Sequence, residues 1–79
     1  MSTPRDHEPA VGTVVRDEQR SRVGEFRGVQ SGRFMLRPIG GGREWEARPD
    51  EVRPVPADEA LRLRVAAANR YSRAARGVA

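Results

Sequence analysis

The chain has no cysteine and a single histidine, and of its 79 residues only one Trp, one Tyr and two Phe are aromatic. Without thiols there can be no disulfide and no thiolate metal centre. A lone His7 cannot supply the three or four convergent ligands that zinc needs, so no metal and no cofactor are expected. Domains this small bury only about 60% of the surface their unfolded chain exposes, and many add such a staple to compensate. Here a modest apolar core must suffice. No run of about 18 apolar residues is present, which excludes a membrane-spanning helix. The first ten residues carry no apolar stretch of the signal-peptide kind, so a cytoplasmic location is expected.

Lysine is also missing, and all fifteen basic residues are arginine. Arginine suits bidentate contact with phosphate or carboxylate. Arginine, alanine, glycine, proline and valine also share G/C-rich codons, so this composition has a genomic reading beside the functional one. The formal net charge of +4 is unevenly placed. Residues 1–56 hold ten Arg against nine acids, and residues 57–79 hold five Arg against two, so most of the excess lies in the tail.

Three regions follow from the texture of the chain. Residues 1–10 contain Pro4, Pro9, Ser2, Thr3 and mixed charges with almost nothing to bury, and read as a disordered leader. Residues 11–56 read as short apolar runs cut by turn residues, the signature of a small sheet. Val11 to Asp17 is β-branched and leads into a polar connection. Arg22 to Gln30 alternates, with Gly24 and Gly28 marking a bulge or bend. Ser31 and Gly32 form a two-residue turn, after which Arg33 to Ile39 is a third strand with Phe34 and Leu36 on one face. Pro38 cannot donate to a ladder and marks that strand's exit. After Gly40, Gly41 and Gly42, the run Arg43 to Arg48 alternates strictly, with Glu44 and Glu46 outward if Trp45 and Ala47 point inward. Pro49, Asp50 and Glu51 read as one helical turn, and Val52 to Val55 as a closing strand.

Residues 57–79 form a basic C-terminal helix. Asp58 and Glu59 stand in its first turn, Arg73 and Arg76 in its last, and Gly77 follows as a stop. Leu61, Val65, Ala68, Ser72 and Ala75 share one thin apolar stripe, opposite Arg62, Arg70, Arg73 and Arg76. So thin a stripe predicts a helix that docks weakly or waits for a partner.

The fold class predicted is mainly β: a small five-stranded SH3-like barrel with a C-terminal α-helix. The stretches VGTVVRD, RVGEFRGV, GRFMLRP and GGGREWEARPDEVRPV resemble SH3-like barrels of the KOW and Tudor type over residues 11–55. There a leading V-G strand is followed by a G-x-V hairpin and a closing P-x-x-V-x-P. The segment L-R-P-x-G-G-G-x-E-W also resembles that of short uncharacterised actinobacterial proteins, a likeness that carries no function with it.

Trp45 is the first candidate for a ligand contact, since one ring offers large area and an N–H donor; the alternative is that it packs the core. The glycine run lacks the following Lys-Ser or Lys-Thr and the helix of a phosphate loop, and reads as a hairpin loop. Glu44 and Glu46 are two apart on one face, where Arg37 and Arg48 are expected to neutralise them. These features predict a non-catalytic binding module, of protein-interaction or regulatory type, using a rim of Trp45, Arg43, Glu44 and Glu46. The alternative is a nucleic-acid-binding accessory protein contacting phosphates through Arg62, Arg70, Arg73 and Arg76, with Tyr71 as the one ring able to stack a base. In the first reading the helix supplies a second contact or a dimer seam.

Overall fold

The computed structural model describes residues 8–77, with side chains as far as Arg70. Of the leader expected to be disordered, residues 1–10, the first seven with His7 lie outside the described residues, while Glu8 to Ala10 are described and the Ala10 carbonyl accepts from the Thr13 amide at 3.0 Å. The elements in order are β1 (Val14–Asp17), β2 (Arg22–Gln30), β3 (Arg33–Arg37), β4 (Trp45–Ala47), a 3₁₀ turn (Pro49–Glu51), β5 (Val52–Pro54) and α1 (Ala57–Gly77). All five strands belong to one antiparallel sheet in the order β4-β3-β2-β1-β5. The protein is therefore mainly β with one C-terminal helix, as the alternation of apolar residues predicts.

Four strands are shorter than expected; β5 ends at Pro54 rather than Val55, and the other three are cut for local reasons. β1 begins at Val14 because Val11 and Gly12 form a turn, with Gly12 at φ +95 and the Thr13 amide donating to the Ala10 carbonyl at 3.0 Å. β3 stops at Arg37, before the proline that cannot donate. β4 comprises only Trp45–Ala47, which leaves Arg43 and Glu44 in the preceding loop. The β2–β3 turn is the two-residue kind: Ser31 and Gly32 both have positive φ, 52 and 76, as a type I′ hairpin requires.

The sheet curls. Its register shifts between Phe26 and Gly28, where Gly28 takes φ +143, so β2 bends where the sequence places its glycine. As a result one buried cluster draws on all five strands: Val15, Phe26, Phe34, Leu36, Ala47 and Val52. Phe26 and Phe34 meet edge to face, ring centroids 4.9 Å apart, an arrangement that favours aromatic pairs beyond the area they bury. The expected barrel is not closed. β4 and β5 end the sheet without pairing to each other, since each is three residues long and a three-residue 3₁₀ turn carries the chain between them.

β1 is buried on both faces. Val15 points into the curled core, while Val14 points outward into a second cluster with Val55 and Ala60, against which Ile39 and Leu63 pack. This second cluster docks α1. The buried or half-buried apolar positions of the helix among its described side chains are Ala60, Leu63 and Ala67, a spacing that repeats on one helix face. The stripe drawn from the sequence through Leu61, Val65 and Ala68 is thus not the docked one: Leu61 is 63% exposed and Val65 51%. Alanine wins the contact because its small side chain lets the helix approach the sheet, and Gly40 allows the same at Ala67, where a methyl added to the glycine would come within 3.5 Å of the Ala67 Cβ.

Candidate functional site

Trp45 opens β4 opposite Leu36 of β3, half-buried at the edge of the inner cluster. Its indole does not fill the centre of the core, as its being the largest side chain suggests; the two phenylalanines do, and Trp45 covers their rim. A buried carboxylate explains its position. Asp17 is fully buried at the end of β1, on the same face as Val15 because the two are a strand period apart. Its Oδ1 accepts from the amides of Gln19 and Arg20 at 3.0 and 3.2 Å, and its Oδ2 from the Arg20 guanidinium at 3.1 Å and from Trp45 Nε1 at 2.9 Å. Burial alone pushes the Asp17 carboxyl up, but the hydrogen bonds from Trp45 and Arg20, together with the Arg20 charge, outweigh it and hold the group below its ordinary value of 3.8.

The indole is occupied in a second way. The guanidinium carbon of Arg22 stands 3.9 Å from the ring centroid, a cation–π contact that covers one face. On the core side, Gly24 is so close that a Cβ there would lie 2.7 Å from Trp45 Cη2 and 2.6 Å from the Arg37 carbonyl oxygen. With its N–H bonded and one face stacked, Trp45 has little left to offer a ligand.

Around it, Glu44 and Glu46 are exposed as predicted, while Ala47 is buried. Their expected neutralisation by Arg37 and Arg48 is not what the structure holds. Glu44 faces Arg27 at 3.9 Å, and Arg48 pairs with Asp50 at 3.5 Å. The reason is the shortness of β4: Arg48 lies outside it, capping the 3₁₀ turn that follows, and Arg27 sits at the β2 bulge.

The outer edge of β5 is closed to strand addition. Val55 donates to the Val14 carbonyl and Glu18 to that of Glu51, at 3.1 and 2.9 Å, so alternation turns the Val52 and Pro54 backbones outward. Val52 spends its N–H on the Pro49 carbonyl, and Pro54 has none. Beside this edge a hollow of about 290 Å³ lies between Glu8, Pro9, Thr13, Val52 and Pro54, with Val15 at its floor. It falls at the lower end of the range of about 300–1,000 Å³ usual for ligand pockets.

The arginines sort by place. Arg16 pairs with Glu59, Arg53 with Glu18, Arg62 with Asp58 and Arg64 with Glu25. Arg64 also donates to the Gly12 carbonyl at 2.7 Å. Among the described residues no carboxylate stands within 4.0 Å of Arg22, Arg33, Arg37, Arg43 or Arg70. Arg37 lies against the glycine loop, since a methyl on Gly41 would meet its Nη2 at 3.9 Å. Arg43 leaves that loop, and Gly40 faces Ala67, three residues before Arg70, at a spacing that would put an added methyl 3.5 Å from the Ala67 Cβ. Arg37 of β3, the loop that leads to Arg43 and the backbone of the helix past Ala67 therefore lie at one end of the sheet. Of the predicted phosphate-binding set, Arg62 and Arg70 are exposed, while the side chains of Arg73, Arg76 and Tyr71 lie outside the described residues. Nothing in the sequence links Arg37 and Arg43 to the tail, because the link runs through a Gly40–Ala67 contact between distant segments.

No helix among the described residues is long and apolar enough to cross a membrane. No known protein family matches the chain, and neither a curated protein nor a solved structure shows significant similarity to it.

Proposed function

We propose that this chain is a non-catalytic binding module that takes the phosphates of a nucleic acid at the end where the Gly40–Gly42 loop meets the helix. What supports this reading is that Arg37 lies against the loop, Arg43 follows it in the chain and Arg70 stands about one helical turn past Ala67, none facing a carboxylate among the described residues. The tail adds Arg73 and Arg76 in sequence. Elsewhere Glu18, Asp50, Asp58 and Glu59 each face an arginine. Residues 57–79 hold five Arg against two acids, so most of the net charge of +4 lies in the tail. A non-catalytic role is supported by the buried carboxylate, Asp17, whose oxygens are both bonded within the fold.

An SH3-like barrel of the KOW kind is our reading of the curled sheet. The strand order, the bent β2 and the 3₁₀ turn before β5 support it. A protein partner is the second reading, favoured by the exposure of Leu61 and Val65 on a helix already docked by its other face. The rim of Trp45, Arg43, Glu44 and Glu46 supports it less, since the indole is engaged by Asp17 and Arg22.

Fluorescence anisotropy with random-sequence single-stranded RNA and duplex DNA tests the proposal. For three phosphate contacts the log–log salt slope on duplex is about −2.7, so affinity falls roughly 40-fold between 50 and 200 mM salt. Each of Arg37→Gln, Arg43→Gln and Arg70→Gln then lowers the slope by about 0.9. Failure to bind either polymer at the lower salt, or binding unchanged in the triple variant, overturns the reading.

A further inference from the structure

The helix keeps a face that the barrel does not use. Ala60, Leu63 and Ala67 are turned to the sheet, and at 100° per residue Leu61, Val65 and Ala68 fall on a stripe about a third of a turn away. Leu61 and Val65 are among the most exposed large apolar side chains described, at 63% and 51%. Val11, 63% exposed, precedes Gly12, whose carbonyl accepts from Arg64 on the same flank of the helix. The backbone of α1 continues to Gly77, ten residues past Ala67, its last buried position among the described side chains. Half of a helix about 31 Å long thus runs on beyond the cluster that holds it.

We infer that the Leu61, Val65 and Ala68 stripe is a self-association surface on which α1 of a second copy lies antiparallel. The charge order along the helix argues for the second copy and for the direction. Asp58 and Glu59 stand at its start, and Arg70, Arg73 and Arg76 at its end. An antiparallel pair centred between Val65 and Ala68 sets Asp58 of each chain beside the arginine end of the other; a parallel pair sets like charges together. Asp58 is free to do this, since its pairing with Arg62 is exposed and 3.6 Å long. The same arrangement lays the C-terminal half of each helix along the N-terminal half of its neighbour. The interface is isologous, closed by one two-fold axis. Alanine at position 68 lets the helices approach at the axis, while Leu61 and Val65 supply the apolar area. One stripe on each helix is smaller than a standard interface of about 1,200 Å², so the dimer is weak. The apolar stripe takes no part in the phosphate reading, although Arg70, Arg73 and Arg76 serve in both, so the association is tested without nucleic acid.

Sedimentation equilibrium on the full chain tests it. The mass rises from 8.8 kDa toward twice that value between roughly 10 μM and 1 mM protein. The double variant Leu61→Asp, Val65→Asp stays monomeric while its melting curve matches the parent, because both side chains stand outside the core. The lack of cysteine makes the direction readable by disulfide trapping. Under mild oxidation Val65→Cys and Ala68→Cys cross-link to themselves, at least tenfold faster than Asp58→Cys. A chain monomeric at 1 mM, a dimer surviving the double variant, or Asp58→Cys cross-linking as fast as Val65→Cys overturns the proposal.

Discussion

Trp45 donates its indole N–H to Oδ2 of Asp17 at 2.9 Å, joining the first residue of β4 to the last of β1 across 28 positions. These strands are not neighbours in the sheet; β2 and β3 lie between them. The bond therefore ties the two sides of the curl together at one end. Asp17 also caps the turn that follows β1, so one carboxylate fixes both the first hairpin and the curl.

Asp17→Ala leaves the indole N–H, the Arg20 guanidinium and two amides without their acceptor. Loss of a buried, charge-assisted acceptor costs roughly 3 kcal/mol. Trp45→Phe removes one donor and costs about 1–2 kcal/mol. Urea unfolding measures both, and the double variant loses less than the sum because the two residues share one bond.

Stability falls in acid, and Asp17 carries part of the fall. Its folded-state pKa lies below the ordinary 3.8, so its contribution is full above that value. The contribution is lost as pH drops below 3.8 and through the folded-state value, since the unfolded chain takes up the proton first. Thermal melts from pH 7 to pH 2 read this directly, and in Asp17→Asn the same window is flatter.

Gly24→Ala destabilises although its φ is unremarkable. The added methyl meets the Arg37 carbonyl at 2.6 Å and the indole at 2.7 Å, and backbone on one side cannot yield. Overpacking of this kind costs about 1–3 kcal/mol. A shift in the urea midpoint measures it, and Gly32→Ala, which meets nothing within 4 Å but has φ +76, separates steric cost from backbone strain.

Arg22→Ala uncovers one face of the indole without removing its hydrogen bond. The cation–π contact is worth about 0.5–1 kcal/mol at such a site. Acrylamide quenching of the single tryptophan becomes faster, while the urea midpoint moves little.

Ala67→Glu frees the helix from the glycine loop and leaves the inner cluster intact. The buried Ala67 faces Gly40, and a charged side chain in its place must leave the contact to reach water. Hydrogen exchange then quickens along α1, whereas the amides of β2 and β3 keep their protection.

Much of the fold is legible in the residues. The period-two runs place Phe26, Phe34, Leu36 and Ala47 inward, and Ser31-Gly32 and Gly28 mark the turn and the bend. Glu44 and Glu46 emerge where strict alternation puts them. Asp17 is hidden in the sequence because an acid at a strand end reads as the start of a polar turn, although its two-residue spacing from Val15 marks the inner face. The docked side of α1 is hidden because hydrophobicity ranks Leu61 and Val65 above alanine, whereas contact with a sheet also rewards smallness.

Local chemistry alone thus determines the strands, the hairpin turn and the helix, because each depends on residues close together in the chain. Which arginines stand unpaired, which side of the helix faces water and what Trp45 bonds to were decided by the curl of the sheet. That curl brings Asp17 to the indole and the glycine loop to Ala67, and contacts between distant segments leave no period in the sequence to be read.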